Sequence, residues 1–218
     1  MDRITVPMAL MDMIPVVLFN VVAVVLYRGL HKKMSGSQTA FFLGGAFMVG
    51  TGGALKALWK LLYAMEVCDY QLLSEQLFVT QGLGFLFIAI AFTGLIFTNK
   101  HLKNRTACVA AVIPVVTTKL PFILMTFFGT TWWYVCIAVI AVRLRKFIAL
   151  PFLILAYIAI VFNAALGSSF ERTSGIMNWV GQFVNTAAQA FLLLAALHIR
   201  KEITAYDSSL EYGSYFED

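Results

Sequence analysis

Seven apolar stretches follow one another along this chain, separated by short polar segments. They cover residues 6–30, 38–65, 76–98, 106–128, 131–145, 147–167 and 176–199. Because about 20 apolar residues are enough for an α-helix to cross a bilayer, each stretch predicts one transmembrane helix. The pattern therefore predicts an all-α integral membrane protein with seven transmembrane helices.

The fifth stretch is the shortest, because a basic cluster at Arg143, Arg145 and Lys146 ends its apolar run. A short helix whose arginines extend to the inner interface keeps that cluster on the same side as the other basic gaps. The preceding turn is expected at residues 129–130. Trp132 and Trp133 beside this turn fit the outer interface, where aromatic rings settle at headgroup depth.

Most of the 16 lysines and arginines lie in alternate gaps, after the first, third, fifth and seventh stretches. Short loops rich in lysine and arginine remain cytoplasmic, so the N-terminus is expected outside and the C-terminus inside. The chain is accordingly expected to be a multi-pass protein of the cell membrane. Residues 1–201 form its transmembrane domain, and residues 202–218 form an acidic cytoplasmic tail, expected to be solvated and disordered.

Composition agrees with a membrane protein: 61% of the residues are hydrophobic, 12% are charged, and the mean hydropathy is +0.84. A pI near 9.2 would suggest nucleic acid in a soluble chain. Here the basic residues cluster at helix ends, where anionic lipid headgroups attract them. Membrane lipid is therefore an expected partner, and nucleic acid is not.

Ionisable side chains within the apolar stretches are the first candidates for function, because burial in a bilayer makes them costly. Lys56 and Lys60 share one face of the second stretch with Gly45 and Gly52. Glycines allow a neighbouring helix to approach closely, so Lys56 is expected to face the bundle interior. Lys60 lies nearer the outer surface, where its side chain can extend to water.

Lys119 lies between Pro114 and Pro121 in the fourth stretch. Each proline removes a helical hydrogen bond, so a kink or an unwound segment is expected there. Interrupted membrane helices can build binding sites, and they can also be plain kinks satisfied by threonine hydroxyls. Both interpretations remain open for Lys119.

The seventh stretch carries a stripe of amides, in which spacings of four, three and four residues place Asn178, Gln182, Asn185 and Gln189 on one helix face. Amides that faced lipid would lack hydrogen-bond partners, so the stripe is expected to face inward. It can serve as hydrogen bonds between helices or as the wall of a binding site.

Together these residues predict a polar, net-basic site in the outer half of the bundle that suits an anionic or zwitterionic small molecule. Its expected members are Asp12, Lys56, Lys119, Asn163, Gln182 and Asn185. Alternatively, Asp12 and Lys56 form a structural ion pair.

No catalytic, cofactor or metal-binding motif accompanies these residues, and His31, His101 and His198 each lie beside a basic cluster. We therefore expect no enzyme activity, cofactor or metal site. The expected function is a small-molecule transporter or binding protein. The alternative is a membrane sensor or assembly subunit without transport activity.

Overall fold

The computed structural model describes residues 4–70, 72–97, 120–169 and 175–213, and of these the backbone alone for 166–169, 175 and 202–213. The described residues are helical, without strands. The helices are α1 (Val6–Met11), α2 (Met13–Leu30), α3 (Gly36–Ala64), α4 (Leu72–Phe97), α5 (Leu120–Arg143), α6 (Ala149–Ser169) and α7 (Gly175–Gly213). A short 3-10 helix, His31–Lys33, follows α2.

Five of the described helical segments are long and apolar enough to cross a membrane: Val6–Lys33, Gly36–Ala64, Leu72–Phe97, Leu120–Arg143 and Ile176–Lys201. A shorter apolar helical segment covers Ala149–Ala165. These helices agree with the predicted all-α class and with a multi-pass membrane protein.

The first predicted span is interrupted near its N-terminus. Pro15 has no N–H to donate to the Met11 carbonyl, and its ring collides with that carbonyl in a regular helix. Accordingly, α1 ends at Met11, and Asp12 separates it from α2. The interruption places a carboxylate at the junction of two helices.

The beginning of α3 is fixed by its sequence. The Ser35 hydroxyl accepts a hydrogen bond from the Gln38 backbone N–H (3.3 Å), and the Gln38 side chain accepts one from the Ser35 N–H (3.0 Å). This capping box satisfies two N–H groups that a helix start leaves unpaired. It separates α3 from the basic residues that follow α2.

The described residues form two compact units. The first, here called the α3–α5 unit, contains Ile4–Met13 and Met34–Ile137, and the second, the α6–α7 unit, contains Ile14–Lys33 and residues 138–213. The boundary in the first predicted span falls beside the break at Asp12.

Within the α3–α5 unit, α3 and α4 run antiparallel and meet through glycines. A Cβ atom on Gly45 would lie 2.5 Å from the Gly84 carbonyl oxygen, and one on Gly84 would lie 2.8 Å from the Gly45 oxygen. Further along, Gly52 leaves room for the side-chain hydroxyl of Thr80. Small residues let membrane helices approach until their backbones touch, so the predicted glycine face is a packing face.

The helices α4 and α5 run parallel, since residues with rising numbers on one meet residues with rising numbers on the other. A Cβ on Gly82 would lie 2.9 Å from the Phe122 carbonyl oxygen. Eleven residues further along α4, the Thr93 hydroxyl accepts a 2.6 Å hydrogen bond from the Trp132 indole N–H. Both helices therefore point towards the same end of the unit.

The turn expected at residues 129–130 is wrong, because α5 continues without interruption from Leu120 to Arg143. Gly129 is a packing residue there: a Cβ on it would lie 2.9 Å from the Phe85 carbonyl carbon. Trp133, expected at the interface, is 2% exposed and packs against Phe85 and Phe92. The sequence Gly-Thr-Thr-Trp-Trp at 129–133 is compatible with an interfacial turn, and it is equally compatible with a helix that packs closely against α4.

In the α6–α7 unit, α6 and α7 run antiparallel. The Phe152 ring of α6 lies against Phe191 and His198 of α7, whereas Asn163, further along α6, lies beside Gly181. The end of α2 packs on α7 where Arg200 covers Gly29.

The helix α7 is longer than a bilayer requires. Its 39 residues extend to Gly213, so the expected disorder is wrong for the described part of the tail. At 1.5 Å per residue, α7 measures about 58 Å, against about 30 Å for the hydrocarbon core.

Candidate binding site

The buried polar residues of α7 form one face of the helix. Gln182 is 4% exposed and Gln189 is 9% exposed, and Thr186 lies between them. Spacings of four and three residues put these side chains within one narrow stripe of a helix with 3.6 residues per turn. We call Gln182, Thr186 and Gln189 the polar stripe.

The polar stripe contains hydrogen-bonding atoms that no other described residue satisfies. They are Oε1 and Nε2 of Gln182, Oγ1 of Thr186 and Oε1 of Gln189. An unpaired buried amide or hydroxyl costs about 1–3 kcal/mol, and buried polar groups in native proteins are nearly always paired. The stripe therefore requires a hydrogen-bonding partner beyond the described side chains.

The side chain of Asn163 on α6 lies beside Gly181 of α7, the residue that precedes Gln182. A Cβ on Gly181 would lie 3.2 Å from Asn163 Oδ1, so the glycine leaves room for this amide. Asn185, also predicted for the site, is half-buried and lies one residue before Thr186. Three of the predicted residues, Asn163, Gln182 and Asn185, thus belong to the α6–α7 unit.

The apolar helical segments of this unit, residues 14–27, 149–165 and 176–199, carry no aspartate, glutamate, lysine or arginine. Charges in the unit begin at the helix ends, with Arg28 on α2 and Arg200 on α7. The polar stripe can therefore offer hydrogen bonds but no counter-charge.

Two of the charged residues predicted for the site, Asp12 and Lys56, lie in the α3–α5 unit. Lys60 is 7% exposed, and its Nζ lies 2.6 Å from Oδ2 of Asp12. The expectation that Lys60 extends to water is therefore wrong, because the break between α1 and α2 supplies a buried carboxylate within reach. Lys56, one turn earlier on α3, is half-buried.

The structure adds one residue to the predicted stripe and changes the partner of Asp12. Thr186 was absent from the predicted stripe, although its spacing of four from Gln182 could have revealed it. The sequence suggests Lys56 as the partner of Asp12, whereas in the structure the partner is Lys60. This ion pair depends on how α1 packs on α3. Lys119 and the helix interruption predicted around it lie outside the described residues.

The histidines of the described residues have local partners. His31 Nδ1 lies 3.3 Å from the Arg28 carbonyl oxygen, and His198 Nδ1 lies 2.8 Å from that of Leu194. No group of three or more histidine, cysteine, aspartate or glutamate side chains in the described parts of the chain could hold a metal ion.

Comparison with protein-family models, curated proteins and solved structures finds no match to this chain. The class of protein is therefore assigned from its own helices: an all-helical chain compatible with a multi-pass membrane protein.

Proposed function

We propose that this protein is a membrane transporter or binding protein for a small polar molecule, which it contacts through the polar stripe of α7. The observation that carries this proposal is Gln182, whose side chain is 4% exposed while both of its amide atoms lack a partner among the described residues. A ligand or water that enters the stripe would supply the missing hydrogen bonds.

The proposal includes seven membrane crossings with the N-terminus outside. Parallel neighbours such as α4 and α5 require an odd number of crossings between them. One crossing that includes residues 106–119, the part of the predicted fourth span that precedes α5, would meet this requirement. Both helices would then end on the side of the basic clusters, as the charge rule requires. In this orientation Gln182, seven residues into α7 from Gly175, lies in the outer half.

That lysines give the site a net positive charge is a hypothesis separate from the role of the polar stripe. Asp12 offsets the charge of Lys60, and Lys56 and Lys119 are the other lysines that the sequence suggests for an anionic or zwitterionic molecule. The proposal rests on the polar stripe alone and does not depend on these lysines.

Cysteine accessibility tests whether the polar stripe meets water. In a chain whose native cysteines are replaced, Thr186→Cys should react with a water-soluble thiosulfonate reagent, because only the ionised thiolate in water reacts quickly. Ala188→Cys is the matched control, since Ala188 is fully buried and lies off the stripe. Equal reaction of both cysteines, or failure of Thr186→Cys to react, would contradict the proposal.

The length of α7 favours a membrane sensor as the second candidate. A helix that continues from the polar stripe to Gly213 could convey ligand binding to the cytoplasmic side. Uptake of radiolabelled sorbitol and glucose by reconstituted vesicles separates the candidates. Uptake that depends on the protein identifies a transporter, and saturable binding without uptake identifies a sensor.

A further inference from the structure

We infer that the molecule recognised by the polar stripe is electrically neutral and carries several hydroxyl groups. This inference rests on the proposed function and names the ligand class of the same site. It departs from the anionic or zwitterionic molecule that the lysines suggest, because the helical segments 149–165 and 176–199, which form the stripe and its neighbour, contain no lysine.

The apolar helical segments of this unit offer an ionised ligand no counter-charge. No formal charge occurs in residues 14–27, 149–165 or 176–199, which form the apolar helices of this unit. An ion that moved from water to these helices would lose its hydration without gaining an opposite charge from them. A neutral molecule loses only hydrogen bonds, and the stripe can replace them.

The atoms of the stripe specify hydroxyl groups. Unpartnered Oε1 atoms of Gln182 and Gln189 need donors, whereas Nε2 of Gln182 needs an acceptor and the Thr186 hydroxyl can bond with either. A hydroxyl group both donates and accepts, so one kind of ligand group satisfies every atom. Along the helix the stripe extends about 10 Å, which requires several such groups.

Selectivity should follow from the same chemistry. A buried site that forms hydrogen bonds with a ligand rejects an analogue that leaves its polar atoms unpaired. Loss of one such bond weakens binding by about tenfold. Replacement of a ligand hydroxyl by hydrogen should therefore weaken binding, and replacement by carboxylate should abolish it.

Thermal unfolding of the full-length purified protein tests the ligand class with three neutral and anionic pairs: glycerol and glycerate, sorbitol and gluconate, glucose and glucuronate. At least one neutral compound should raise the Tm saturably, and its carboxylate partner should not. Polyols also stabilise proteins by exclusion from the surface. That effect does not saturate and would persist in Gln182→Leu, whereas binding in the stripe should weaken at least tenfold in this variant.

Asn20→Leu is the matched control, because Asn20 is exposed and its amide donates to the Val16 carbonyl of its own helix. This variant should retain the full response to the neutral compound. If the carboxylates stabilise equally, if no neutral compound acts saturably, or if Gln182→Leu responds normally, the ligand class is wrong. The proposed function fails separately, when Thr186→Cys does not react with the thiol reagent.

Discussion

Asp12 and Lys60 form an ion pair with 2.6 Å between Oδ2 and Nζ, and both side chains are largely buried. The pair joins the residue that follows α1 to the last turns of α3. A buried charge without a partner would be costly, and pairing reduces that cost. The contact therefore fixes the N-terminal segment Val6–Met11 on the α3–α5 unit.

Removal of one partner should destabilise the protein. Lys60→Met leaves the Asp12 carboxylate buried without its cation, which should lower the free energy of unfolding by about 3–5 kcal/mol. The double variant with Asp12→Asn should recover most of the loss. Denaturant unfolding measures both, with Lys32→Met at an exposed position as the control. Equal stability of Lys60→Met and the original protein would show that the pair contributes nothing.

Two adjacent glycines of α3 should respond oppositely to alanine. A Cβ on Gly45 would meet the Gly84 backbone at 2.5 Å, so Gly45→Ala should cost about 1–3 kcal/mol through overpacking. Gly44 has no atom within 4 Å of the corresponding Cβ position. Gly44→Ala should therefore be neutral or stabilise by about 0.5–1 kcal/mol, because alanine favours helix. The Tm of each variant, measured by thermal unfolding in detergent, compares the two substitutions. Equal destabilisation by both would contradict the close α3–α4 contact.

The continuous helix α5 predicts that Trp133 is a core residue. Trp133→Ala should destabilise by about 3–5 kcal/mol, since it leaves a cavity beside Phe85 and Phe92. Phe128→Ala, at an exposed position of the same helix, should cost much less. Unfolding monitored for both variants distinguishes this arrangement from an interfacial turn, in which loss of Trp133 would leave stability nearly unchanged.

The proposed orientation can be tested with a native cysteine. Cys68 is exposed in the segment between α3 and α4, which is proposed to lie outside. With the other cysteines replaced, Cys68 should react with a membrane-impermeant maleimide on intact cells. When Cys68 is also replaced, Lys201→Cys, at an exposed position near the other end of the membrane segment, should react only after permeabilisation. The reverse pattern would place the N-terminus in the cytoplasm.

The sequence predicted two of the three residues of the polar stripe, Gln182 and Gln189, and missed Thr186 between them. The positions of Gln182 and Gln189 on one face follow from helical periodicity, which needs no tertiary information. Gly129 does not show whether a helix ends there, because glycine is found both at turns and at close contacts between helices. The pairing of Lys60 with Asp12 also joins residues far apart in sequence, and no local pattern specifies such a contact.

The sequence by itself determined the helical class and the membrane setting, because long apolar runs must satisfy their backbone hydrogen bonds internally in lipid. It also determined the interruption at Asp12, since a proline acts on the preceding turn of its own helix. Only the tertiary structure decided that Lys60 pairs with Asp12, that Trp133 is buried against α4, and that the amide of Gln182 has no partner among the described residues. These features depend on which side chains packing brings together, and a periodic pattern specifies the face of a helix but not what lies opposite it.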